Sequence, residues 1–174
     1  MFAKEEKEKI MKLAFLEADK AEQQGEIPIG AVIVDAEGNL IGRGYNRREL
    51  DEDATRHAEI IAIQEACKNL NSWRLIDCSL FVTLEPCPMC AGAIINARLK
   101  NVYYGAFDPK AGACGSVVDL FAFTKFNHHP QIFGGLYREQ AAQQLKKFFK
   151  THCFGLAWWL TPVIPALWEA KAGG

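Results

Sequence analysis

The sequence carries almost no net charge: 20 Lys and Arg residues against 21 Asp and Glu residues leave a formal −1. That excludes a protein holding nucleic acid by bulk positive charge, so any polyanion must meet a local patch. Long hydrophobic runs are also missing. Nowhere do eighteen consecutive apolar residues occur, so no transmembrane helix is expected. The opening MFAKEEKEKIMKLAFLEADK lacks the apolar centre of a signal peptide. No internal repeat is visible, which excludes solenoids and arrays. What is present is globular composition, 49% apolar and 24% charged, against disorder, collagen or a disulfide-stapled miniprotein. The 174 residues suit one domain, burying about two-thirds of the unfolded surface and needing no metal merely to fold. The six cysteines are Cys67, Cys78, Cys87, Cys90, Cys114 and Cys153. Without an export signal they read as thiols or metal ligands before disulfides, and the expected compartment is the cytoplasm.

Helical spacing of Met11, Ala14, Phe15, Ala18 and Ala21 predicts an amphipathic helix over 4–24, stopped by Gly25. Runs 29–34 and 40–45 flank a Gly38-Asn39 turn and predict a β-hairpin. A helix is expected over 56–70, capped by Thr55 or Asp53. Its two apolar faces, one with Ala58, Ala62 and Ala66 and one with Ile60, Ile63 and Leu70, predict burial on both sides. A short buried strand over 80–84 ends at Glu85-Pro86, and a third helix runs over 88–97 with Pro88 in its first turn. Another strand, 102–104, is closed by Gly105, so strand, helix and strand imply a parallel crossover. A Gly/Ala-rich loop follows over 108–116, and a last helix over 138–150 has Ala141, Leu145, Phe148 and Phe149 as its apolar stripe. The expected class is α/β, a mixed sheet of about five strands with helices on both faces. The domain is placed at residues 1–150. Residues 151–174 hold three of the four tryptophans and Pro162 and Pro165, and read as an atypical apolar tail outside it.

Two motifs carry chemistry: His57-Ala58-Glu59 and Pro86-Cys87-Pro88-Met89-Cys90. Each opens a predicted helix, the second directly after a strand. Cys-x-x-Cys brings two thiolates to one ion, and an imidazole from a neighbouring helix makes a third ligand. Three protein ligands leave the fourth tetrahedral position to water, the open arrangement of catalytic zinc. Helix N-termini favour anions and so favour the thiolates of Cys87 and Cys90. Glu59 would project near the open position without binding the metal, where a carboxylate moves a proton from water to a substrate nitrogen. Alone, a Cys-x-x-Cys also suits a redox pair or half of a zinc knuckle, and a lone His-x-Glu is chance. Cys67, Cys78 and Cys114 have no ligand spacing and read as small buried apolar residues. His128 and His129 are adjacent and cannot easily both face one site, so they read as surface or supporting groups. The two motifs together form the H-x-E…P-C-x-x-C signature of zinc deaminases.

The segments EIPIGAVIV, GRGYN, HAEIIAI, SWRL, LFVTLEPCPMCAGAI, YGAFDPKAGACGS, FNH and KKFFK follow in order over 4–150. In order and spacing they resemble the bacterial tRNA-specific adenosine deaminases. The resemblance implies a three-layer α/β/α cytidine deaminase-like fold, a homodimer, and conversion of the wobble adenosine of a tRNA anticodon stem-loop to inosine. It implies one zinc per subunit on His57, Cys87 and Cys90. Water attacks C6 of the flipped adenine while Glu59 protonates N1 and then the amino group, and ammonia leaves. It further implies that Asn46 bonds the base or ribose, that Asp108 and Lys110 contact the RNA backbone, and that Phe149 shapes the anticodon loop. Read from the residues alone, Asn46 is also a turn residue, DPKAG a polar loop and Phe149 part of the apolar stripe. A free-base or nucleoside deaminase acting on guanine or cytosine shares the metal motif, and a silent RNA-binding or dimerisation partner could spare Glu59. Asn46 and DPKAGACGS favour adenosine in RNA. The chain departs from the family at Tyr45 and His129, and above all at its C-terminus. There the family continues with lysines and arginines, while this tail resembles a peptide translated from an Alu-type interspersed repeat. Weaker tRNA affinity is the expected consequence.

Overall fold

A computed structural model of the chain describes residues 2–152. The elements, in chain order, are α1 (Lys4–Gln23), β1 (Gly30–Val34), β2 (Leu40–Tyr45), α2 (Ala58–Asn69), β3 (Ser79–Leu84), α3 (Pro88–Asn96), β4 (Asn101–Ala106), β5 (Gln131–Gly134) and α4 (Arg138–His152). The strands form one sheet in the order β2-β1-β3-β4-β5. β1 is antiparallel to β2 and β3, whereas β3, β4 and β5 are parallel. This is the expected mixed sheet, with β3-α3-β4 as its parallel crossover.

Side chains alternate across a strand, so the sheet has two faces to cover. Ala31, Ile33, Leu80, Val82, Val102 and Tyr104 pack with Ala58, Ala62 and Ala66 of α2 and Ile94 of α3. Val32, Val34, Phe81, Tyr103 and Ala106 pack on the other side with Ile10, Met11, Ala14 and Phe15 of α1 and Ala141 and Leu145 of α4. Every residue of β1 and β4 is buried, which is why both read as continuous apolar runs rather than alternating ones. The result is the three-layer α/β/α arrangement.

How closely α2 approaches the sheet is set by the glycines of β2. A Cβ on Gly44 would sit 2.3 Å from the Ala58 carbonyl oxygen and 2.7 Å from the Ala62 nitrogen, both helix backbone. Gly44→Ala therefore pushes α2 off the sheet. It is expected to lower stability by about 3 kcal/mol, the upper part of the usual overpacking range, measured by urea unfolding.

The structure corrects several expectations. The N-cap of α2 is His57 itself, not Thr55 or Asp53; Asp53 instead accepts hydrogen bonds from the Thr55 nitrogen and hydroxyl within the preceding loop. Only one face of α2 is fully buried, because the sheet reaches one side of it; Leu70 is 43% exposed. Gly105 does not close β4 but lies inside it, since the strand pairs on to Ala106 opposite Leu84. β5, a four-residue strand exposed at both ends, had no pattern by which to be read. α4 runs two residues past the expected boundary, where the Thr151 hydroxyl donates to the Lys147 carbonyl at 3.1 Å. Cys78 is buried as expected, while Cys67 and Cys114 are only half-buried. The expectations drawn for the tail from Cys153 onward lie outside the described residues.

Candidate metal centre and active site

The strand ends determine where the chemistry gathers. Register pairs Gly30 with Tyr45, Ala31 with Val82 and Leu84 with Ala106. The end of β2 with Asn46, the end of β3 with Glu85 and Cys87, and the end of β4 with Asp108 therefore lie along one edge of the sheet.

Cys87 is the N-cap of α3, with Pro88 in the first turn, and His57 is the N-cap of α2. Neither side chain caps its own helix, so both are available to turn toward each other. His57 Nδ1 lies 3.6 Å from Cys87 Sγ and 3.5 Å from Cys90 Sγ. The three donor atoms lie within 4.8 Å of one another, and no other His, Cys, Asp or Glu trio among the described residues meets in this way. Zinc bonds of about 2.3 Å to sulfur and about 2.0–2.1 Å to nitrogen, in a tetrahedron, separate their donors by about 3.4–3.8 Å. The imidazole-to-sulfur distances fall in that interval, so the donor set fits a tetrahedral ion with one position open.

The electrostatics suit a cation. A hydrogen bond from Cys90 holds the Cys87 thiol down at about 4, against burial that raises it. The neighbouring Cys87 sulfur, together with burial, pushes Cys90 up. The hydrogen bond to Cys87 raises His57. Both helix N-termini add partial positive charge at the same place. Glu59, in the first turn of α2, is 4% exposed, and burial pushes its carboxyl up to about 7. It lies close enough to Cys90 to hydrogen-bond it.

Asn46 is buried, and its Nδ2 donates to Glu26 Oε2 at 3.1 Å. Glu26 Oε1 accepts from the Leu50 nitrogen at 2.7 Å. One buried carboxylate thus fixes both the Asn46 amide and the start of the loop leading to His57. That loop is braced further by Asp51, whose carboxylate takes Arg47 at 2.7 Å and Arg56 at 2.8 Å. Those two guanidinium groups hold Asp51 down at about 2. Asp108 is half-buried, and its Oδ1 accepts from the Lys110 nitrogen at 2.9 Å and the Ala111 nitrogen at 3.2 Å. Lys110 is exposed. Phe149 is half-buried near the end of α4, its ring 5.7 Å from that of Phe148. Gln144 and Lys147 of the same helix meet Asp19 and Glu22 of α1, just before the Glu26 that holds Asn46. His128 meets the Leu99 carbonyl at 2.6 Å. With exposed His129 it borders a cavity of about 470 Å³ among Arg74, Arg98 and Lys100, where β4 and β5 begin. Both histidines are therefore remote from the cluster.

Sequence reasoning missed Glu26 and Glu85. A carboxylate in EIPIG or at the end of a strand looks like an ordinary surface group, and only its burial, 2% exposure in each case, marks it.

The MafB19-like deaminase family matches residues 5–150. The tRNA-specific adenosine deaminase of Bacillus subtilis is 47% identical over 140 residues, covering 80% of this chain and 86% of that protein. A solved tRNA:A34 deaminase, studied for A-to-I editing at the wobble position of transfer RNA, is 45% identical with a TM-score of 0.75. That match covers 78% of this chain and 98% of the other. The guanine deaminase of Bacillus subtilis is similar at lower identity, 36%, with a TM-score of 0.56 over 80% of this chain and 92% of its own. The chain belongs to the MafB19-like deaminases and, within them, to the family of tRNA-specific adenosine deaminases.

Proposed function

We propose that this protein hydrolytically deaminates adenosine to inosine at the wobble position of a tRNA anticodon, with one zinc ion held by His57, Cys87 and Cys90. The observation that carries the reading is the three-donor cluster with a buried carboxyl, Glu59, at its side. A zinc ion with three protein ligands supplies, at its open position, a water whose pKa falls to about 7. Glu59 does the proton work: a carboxyl near 7 accepts a proton at neutral pH and returns it, first to N1 of the adenine and then to the departing amino group. Its burial keeps bulk water from competing for that proton. Asn46, oriented by Glu26, bonds the base or ribose from the end of β2. Asp108 and Lys110 meet the RNA backbone from the loop after β4, and Phe149, near the end of α4, shapes the anticodon loop.

The incompletely covered side of α2, with Leu70, and Met89 at the start of α3, 36% exposed, offer apolar surface for a second copy, which supports the homodimer. No helix among the described residues is long and apolar enough to cross a membrane, and a tRNA substrate suits the cytoplasm.

The zinc-loaded protein is to be incubated separately with an anticodon stem-loop, adenosine, cytidine and guanine. Ammonia and inosine are expected from the stem-loop alone; xanthine from guanine would favour the free-base reading, which the guanine deaminase likeness keeps open. Lys110→Ala is expected to lower the slope of log affinity against log salt by about 0.7, the worth of one phosphate contact on a single strand. Titrations of the stem-loop at three or more salt concentrations measure it.

A further inference from the structure

Glu85 is almost wholly buried, yet no cation pairs with it among the described residues. A buried carboxylate is costly unless its acceptor sites are filled, and here one loop fills them. Oε2 accepts from the Asp108 nitrogen at 2.9 Å and from the Ser116 hydroxyl. Oε1 accepts from the Cys114 nitrogen at 2.9 Å and the Ser116 nitrogen at 3.2 Å. The carboxylate therefore grips residues 108–116 at both ends. The chain also accommodates it: a Cβ on Gly112 would lie 2.4 Å from Glu85 Cδ and 2.5 Å from Oε2. Beside this clamp, the Ala113 nitrogen donates to the Pro86 carbonyl at 2.8 Å.

The position of Glu85 in the chain gives the clamp a purpose. Only Pro86 separates it from Cys87, so one short stretch carries a sulfur of the metal cluster and the anchor of the loop bearing Asp108 and Lys110. We propose that Glu85 is a positioning residue that sets the distance and orientation of the RNA-contacting loop relative to the metal centre. Backbone pairing could close a surface loop without burying a charge; the carboxylate ties this loop to the residue beside the metal ligand. The role in RNA binding rests on the reading of Asp108 and Lys110 above, whereas the clamp itself does not.

The test uses the full zinc-loaded chain and Glu85→Gln, which keeps the size but turns one acceptor into a donor facing donors. Amides 108, 114 and 116 should exchange with deuterium on the order of tenfold faster or more, as expected for lost hydrogen bonds to a charged group. Zinc should stay at one per chain. KM for the stem-loop should rise on the order of tenfold with kcat within about twofold, the signature of lost uniform binding. In an Asp108→Ala background that KM effect should shrink, because a residue acting through another is non-additive with it. Unchanged exchange and KM, a fall in kcat at constant KM, or loss of zinc would each overturn the proposal. If Glu85→Gln does not fold, Ser116→Ala must show a smaller KM-selective change, and an unchanged KM there overturns it equally. If the unaltered protein makes no inosine from the stem-loop, the RNA reading fails, while the exchange data still decide whether Glu85 holds the loop.

Discussion

Glu59→Ala is expected to retain one zinc per chain and to lose on the order of 10²–10⁴ in kcat, the usual worth of a positioned acid–base group. The carboxyl is not one of the three clustered donors, so metal retention separates its role from that of the ligands. It is buried at the start of α2, where its removal leaves a small void and takes a neighbour from Cys90 but deletes none of the three donor atoms. Zinc content by elemental analysis and single-turnover inosine formation give the two readouts. Near-normal turnover by the zinc-replete variant would show that the proton is carried by another group.

Cys87→Ala is expected to lose stoichiometric zinc, and measurable deamination with it. Of the two sulfurs Cys87 is the cleaner one to remove, because Cys90 is fully buried in α3 and its truncation also disturbs packing. The remaining imidazole and single thiolate form two-thirds of a ligand set, too few for a stable zinc site. The fold should persist, since the packed clusters on both faces of the sheet do not include Cys87. An unchanged far-ultraviolet spectrum together with lost metal is the predicted result. Stoichiometric zinc in this variant would mean that the cluster does not hold the ion.

The metal cluster was legible in the sequence because each motif opens a helix after a strand or loop, and such a position fixes where the side chain points. The layers were legible because the apolar spacing of α1, of the alanine face of α2 and of α4, with the unbroken runs of β1, β3 and β4, follows from burial by one sheet. What the sequence hid was of two kinds. β5 is short, a four-residue strand exposed at both ends, and only the parallel pairing to β4 and the packing of Ile132 and Phe133 on the two core clusters mark it as part of the sheet. Leu70 looked like core but is exposed, because periodicity shows a second apolar face without showing what covers it. Glu26 and Glu85 were invisible for a related reason. Their partners lie up to 31 residues away, and a carboxylate's burial depends on those distant backbone amides rather than on its neighbours in sequence.

The most direct test of the central claim is position-resolved: one zinc-loaded preparation, a full-length tRNA carrying adenosine at the wobble position, and sequencing of the product. Inosine at that single nucleotide, and at no other adenosine of the tRNA, is the predicted result. An unmodified wobble adenosine with stoichiometric zinc in the protein would contradict the account.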